Sequence, residues 1–330
     1  MPFRLRPLVV VAAVPLLVLA GCASTGPAAG PTAEPTAGAA APAAAVQDCG
    51  IDVAPRTEPA ERILAVKSTA AELVVALGLG DALVSTAFLD GPLEMADGEA
   101  PPTIEGMPSR EAVLALEPDA VVAGWESAFA PEAAGDRAAL HDLGVTTWVS
   151  PAACRSVDVA PLTWDALLGE LEDAGTVLGV PDAGAALADE QRAALDAIEP
   201  LGDDGTGATA LWYSSGDDAP YVGGGSGAPQ LVLESAGLEN VAADVAEPWT
   251  TMSWEALAAS DPDVIVLVDA AWHTAESKIE RLRANPATAQ LDAVREGRFV
   301  VVPFPMAEAG VGSVDAVVLV VDGVRAMALG

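Results

Sequence analysis

Lys67, Ser68 and Thr69 form the triplet in this chain that most suggests chemistry. The chain has two lysines, Lys67 and Lys278, against thirteen arginines. Lys67 closes the apolar run Ile63–Val66, and Ser68 and Thr69 open the helical pattern Ala70–Leu77, which ends at Gly78. A strand end running into a helix start aims backbone N–H groups and hydroxyls at one point. That arrangement takes a phosphate or carboxylate, and a lysine beside it supplies charge. The same residues fit a strand-end lysine followed by an N-capping hydroxyl equally well. Asp90, in the turn Leu89-Asp90-Gly91-Pro92 after the second apolar run, is a further candidate contact.

Aromatic residues make up only 4% of the chain, so their positions carry weight. Trp125, Tyr221 and Trp249 fall in predicted loops or at predicted strand ends, where ligands bind in parallel α/β sheets. Rings there suit a planar or partly apolar ligand, although tryptophan is also common at core rims. No catalytic signature stands beside them. Gly223-Gly224-Gly225-Ser226-Gly227 lacks nucleophile-elbow spacing, because Ala228 stands where the last glycine belongs. It reads as a flexible loop that opens a helix and could touch a ligand. His141 and His273 lie far apart without clustered partners, so no metal site and no cofactor are expected.

These residues are positioned by strand-length apolar runs that alternate with helical patterns. The order predicts strands at 63–66, 83–88, 120–123 and 145–149, and helices at 70–77, 111–116 and 131–143. Two successive helices, 162–178 and 182–198, are parted by Pro181 before alternation resumes at Ala208. The fold class is therefore α/β, with two lobes built on parallel sheets. Ser109–Val122 and Ser253–Val266 agree at seven of fourteen positions. Each copy reads as an N-capping serine, a first-turn glutamate (Glu111, Glu255), a helix, a Pro-Asp break and a buried strand.

The N-terminus speaks to location. Arg4 and Arg6 precede the apolar core Leu8–Leu19, and Leu19-Ala20-Gly21-Cys22 reads as a lipobox, with Cys22 acylated and residues 1–21 removed. Residues 22–48, rich in Ala, Pro and Gly, form a tether that cannot bury enough surface to fold. Without residues 1–21 the chain carries thirteen basic and 48 acidic side chains, a formal charge of −35. Such a field repels nucleic acid and anionic lipid, so contact with the membrane is expected through the lipid anchor alone. Outside the cytoplasm the two remaining thiols, Cys49 and Cys154, are expected to pair.

The lipobox, the tether, "ILAVKSTAAELVVALG" and the paired "EAVLALEPDAVVAGW" and "EALAASDPDVIVLV" units resemble the binding proteins of ABC importers, in the iron-siderophore, haem and cobalamin class. The resemblance implies an N-terminal lobe at 49–180, a rigid bridging helix at 181–200 and a C-terminal lobe at 201–330, in a monomer that is not an enzyme. It implies a small-molecule ligand in the cleft and an ABC permease with its ATPase as partners. It also implies that Glu111 and Glu255 dock into arginine pockets of the permease, and that Trp249 lies in the cleft. "VKSTAAEL", "TAFLDGP", "AGWESAF" and "VSPAAC" are closer to an actinobacterial subgroup assigned to uptake of a deazaflavin coenzyme precursor with a phospholactyl tail. A ferric siderophore, haem or cobalamin is the rival ligand class. An envelope enzyme and a non-transport interaction lipoprotein are the remaining alternatives.

Overall fold

The computed structural model describes residues 44–95, 98–202 and 207–327. Cys22, the lipobox and most of the tether lie outside these residues. The apolar runs Ile63–Val66 and Ala120–Ala123 are buried at every position and occupy the middle of a five-stranded sheet. Its strand order is Thr103–Ile104, Leu83–Ala87, Ile63–Val66, Ala120–Ala123, Thr146–Val149, all parallel. Burial on both faces explains why these strands are continuously hydrophobic. Alternate residues point to opposite layers. Ile63, Ala65 and Val122 pack with Leu168 and Leu171 of helix Trp164–Val177. Leu64, Val66 and Val121 pack with Val113 and Leu140 on the other face.

The second lobe repeats this plan with a mixed sheet. Thr209–Ser215, Val264–Asp269 and Phe299–Pro303 run parallel, whereas Tyr221–Gly223 and Trp249–Thr251 add two antiparallel edge strands. The edge pair escapes a reading based on β-α-β alternation because each strand has only three residues. The glycine run that follows Val222 is a packing feature. A Cβ on Gly225 would stand 2.0 Å from the Ala243 carbonyl oxygen, and the Gly225 N–H donates to Val245 at 2.8 Å. The expected flexible loop is therefore fixed against residues 243–248 before it opens helix Ala228–Ala236.

The sequence repeat is a structural repeat. Ser109 and Ser253 each accept from the backbone N–H three residues on, capping helices Arg110–Ala115 and Trp254–Ser260. Glu117 and Asp261, at matching positions before the proline, both turn left-handed, with φ of 47° and 42°. The aspartates that follow then bind a neighbouring strand start. Asp119 accepts from the N–H groups of Glu61 and Arg62, and Asp263 from the N–H of Thr209. The Pro-Asp break is thus a clamp between adjacent strands.

One helix needs correction. The helix expected over 131–143 is confined to Arg137–Asp142, because Gly135 turns at φ 96° and Asp136 supplies the N-cap. The bridging helix is Pro181–Asp196, and the helix before it, Trp164–Val177, packs along it, so that a Cβ on Gly175 would meet the Gly184 Cα at 2.7 Å. Leu187 and Ala188 sit in the first lobe's core, while Trp164 and Ile198 pack on the second's, so both helices reach across. At the chain's start the hairpin Val46–Asp48/Ile51–Val53 is held by the Cys49–Cys154 disulfide. Asp48 reinforces it by pairing with buried Arg137 and accepting from Val149 N–H at 2.9 Å.

Candidate ligand-binding cleft

The carboxyl ends of the central strands in both lobes converge on one cleft, and the residues just past those ends build its floor and the layer buried beneath it. Lys67 follows Ile63–Val66, Phe88 and Asp90 follow Leu83–Ala87, and Trp125 follows Ala120–Ala123. From the second lobe come Trp272 after Val264–Asp269 and Phe304 after Phe299–Pro303. Lys67 is 1% exposed. Its ammonium pairs with the Asp90 carboxylate and lies 4.0, 4.3 and 4.8 Å from the ring centres of Trp125, Phe88 and Phe304. Burial pulls the ammonium below the usual lysine range, against the opposing pull of Asp90.

Lys67 also has φ 81° and ψ 151°, a region that is almost glycine-only and costs a side-chain-bearing residue about 1–3 kcal/mol. The ion pair and the three cation–π contacts hold it there. The expected open lysine is therefore a correction: its charge is spent on Asp90 and covered by rings. Ser68, expected to face a ligand or cap the helix, accepts from the Asp90 backbone N–H at 2.8 Å and is buried. Thr69 is half-buried, and neither hydroxyl caps helix Ser68–Ala76. Asp90 lies beneath the floor and does not line the cleft.

Above this floor the cleft encloses about 780 Å³ and is walled by Trp125, Tyr221, Trp249, Trp272 and Phe304. Tyr221 and Trp249 sit diagonally on the two antiparallel edge strands, opposite Thr251 and Gly223 respectively, and stack at 5.8 Å with 16° between their planes. Trp125 stands edge-on to Phe88 and Phe304. The three aromatic residues expected as ligand contacts thus line one space. Sequence reasoning missed Phe88, Phe304, Trp272, Arg155 and Glu308. Phe88 carried a usable signal, since it ends the predicted strand 83–88, whereas nothing local marks Arg155.

Glu308, half-buried, is pushed up to about 7 by burial, against the opposing charges of Lys67 and Arg155. Glu170, behind the floor, accepts from Ser150 at 3.0 Å and is pushed up to about 8 by burial. Among the described residues, the group with metal-ligand spacing is Asp48 with Cys49 and Cys154, whose sulfurs are bonded to each other. Glu111 and Glu255 are exposed in the first turns of their capped helices, each on its own lobe and neither lining the cleft.

A cleft between two α/β lobes, lined at strand ends and joined by helices, is the architecture of a bilobal binding protein. The sequence profile of the periplasmic binding protein family matches residues 63–306, and the chain belongs to that family. A vitamin B12-binding protein of Vibrio parahaemolyticus is 26% identical over 235 residues, 69% of this chain and 80% of its own. A periplasmic binding protein from Veillonella parvula superposes with a TM-score of 0.70 at 22% identity, covering 86% of this chain and 97% of the other. An ABC-type Fe3+-hydroxamate transport system structure from Saccharomonospora viridis gives 0.68 at 25%, covering 87% and 99%. No helix among the described residues is long and apolar enough to cross a membrane.

Proposed function

We propose that this chain is the lipid-anchored, extracytoplasmic binding component of an ABC importer, working as a monomer. Its cargo is a medium-sized organic molecule with a flat ring system, captured between the lobes. The observation that carries this reading is the stacked Tyr221–Trp249 pair facing Trp125, Trp272 and Phe304 across about 780 Å³. That volume falls within the range of small-molecule sites, and rings are the side chains that grip flat ligands. A deazaflavin precursor with an acidic tail fits such a slot. Glu111 and Glu255, exposed on equivalent helices of the two lobes, would meet the permease, and Cys22 would carry the lipid.

A second reading, a corrin or ferric-chelate cargo, is favoured by the vitamin B12-binding and Fe3+-hydroxamate relatives. Purifying the mature protein from its own cells and recording its absorption spectrum and bound mass separates the two. A deazaflavin, a corrin and a ferric chelate differ in both. Recovery without cargo, together with no binding of any of these compounds, would overturn the importer reading.

A further inference from the structure

We propose that Arg155 is the anion-reading group of the cleft, so that the cargo carries a phosphate or carboxylate. The inference rests on the ring-slot reading above and names the ligand chemistry of the same site. Among the described residues, two arginines, Arg137 and Arg155, line the cleft. Arg137 is buried and paired with Asp48. Arg155 is exposed, and among the described residues its guanidinium pairs with no carboxylate. Its Nη1 donates to the carbonyls of Cys154 at 2.8 Å and Ala152 at 3.3 Å. Its Nε and Nη2 have no acceptor among the described residues. Those two groups form the planar fork that takes a carboxylate or phosphate with two parallel hydrogen bonds.

The backbone that carries the fork is pinned. Cys154 is bonded to Cys49, and the Glu126 carboxylate accepts from the backbone N–H groups of Arg155 and Ser156 and from the Ser156 hydroxyl. Tyr221 and Glu308 are within electrostatic reach of the guanidinium from the opposite lobe. A chain of formal charge −33 repels an anionic cargo unless one cation is left open. Lys67 is already spent on Asp90 and Arg137 on Asp48, which leaves Arg155.

The test uses two probe pairs that differ only in acidic groups: flavin mononucleotide with riboflavin, and protoporphyrin IX with its dimethyl ester. Binding is followed by quenching of tryptophan emission in the wild type, Arg155→Gln and Arg155→Lys. The wild type should prefer the anionic member of at least one pair by roughly ten- to a hundredfold, the span of a charge-assisted hydrogen bond. Arg155→Gln should lose that preference and bind the neutral member as the wild type does. Arg155→Lys, which keeps the charge and loses the fork, should retain part of it. A wild type that binds the neutral member and shows no preference overturns the role of Arg155 and leaves the ring slot standing. The same holds if both variants keep the full preference. Binding of none of the four probes overturns the slot reading and this proposal with it.

Discussion

Trp272 of the second lobe donates its indole N–H at 3.2 Å to the Asp90 oxygen that receives the ammonium of Lys67 in the first. Phe304, also from the second lobe, covers the same ammonium. The lobes are thus joined across the cleft floor by a buried ion pair whose two charges belong to one side. Its shielding is shared by both. Rings and an indole N–H at this point make the floor a fixed surface on which a ligand can rest.

Removing one charge of this pair strands the other. Lys67→Met should cost about 3–5 kcal/mol of stability, the range for an uncompensated buried charge. Adding Asp90→Asn, which neutralises the partner and keeps an acceptor for Trp272, should recover most of that loss. Urea unfolding of the two single variants and the double variant measures the coupling. An unchanged midpoint for Lys67→Met alone would refute the ion-pair account of the floor.

The central strands and the helices of the repeat were legible because the strands' apolar runs are buried on both faces, and because capping serines and Pro-Asp breaks mark the ends; the three-residue edge strands and the start of helix Arg137–Asp142 were not. The repeat was legible for the same local reason. The site was only half legible. Trp125, Tyr221 and Trp249 could be placed from predicted strand ends or loops, but the fate of Lys67 depends on Asp90, on Phe304 and on a backbone angle that nothing local in the sequence signals. Arg155 reads as an ordinary surface arginine. Its meaning comes from a neighbouring disulfide and from carboxylates that neutralise the other cleft cations, both set by tertiary contacts.

The disulfide closes a loop between residues 105 apart in sequence, and chain entropy alone assigns such a bridge roughly 4–5 kcal/mol. The paired substitution Cys49→Ala and Cys154→Ala should lower the melting temperature clearly, as should reduction of the wild type. Alkylation of freshly exported, unreduced protein should modify neither thiol by mass spectrometry. Two modified thiols would contradict the pairing.

Glu170 links stability to pH. Its carboxyl is pushed up to about 8 by burial, so between its ordinary value and about 8 the folded state holds a proton that the unfolded state has lost. The unfolded state binds fewer protons over that window, so this group's contribution falls as pH rises. Glu72 and Glu308, both pushed up to about 7 by burial, act in the same direction. Glu170→Gln cannot lose a proton and should therefore gain stability relative to the wild type from pH 5 to pH 8. Parallel stability curves for the two proteins would show that Glu170 titrates normally.

Glu111 and Glu255 test the transport role separately from the ligand role. Each is exposed in the first turn of a serine-capped helix, at matching places in the two lobes and away from the cleft lining. Reversal of either to Arg should abolish uptake into cells. Probe affinity should stay within about threefold, or roughly 0.7 kcal/mol. Normal uptake would return both glutamates to the simpler task of complementing their helix N-termini, and a matching loss of affinity would place them in the binding path.

Glu308 should make capture of an anionic cargo depend on pH. Burial holds its carboxyl near 7, with Lys67, Arg155 and Asp90 the charged groups that face it. Above that value the Glu308 carboxylate competes with an incoming anion for Arg155. Below it Glu308 is neutral and the competition ends. Protoporphyrin IX carries carboxyl groups that stay ionised well below pH 7, so its own charge does not confound the measurement. Its affinity should rise as pH falls from 8 to 6, by up to roughly tenfold per proton taken up per pH unit. Glu308→Gln should bind it at every pH as tightly as the wild type does at pH 6. The dimethyl ester should bind both proteins with little dependence on pH. If Glu308→Gln keeps the full pH dependence, the titrating group lies elsewhere, and Glu308 is a wall residue of the cleft with no hold on its charge.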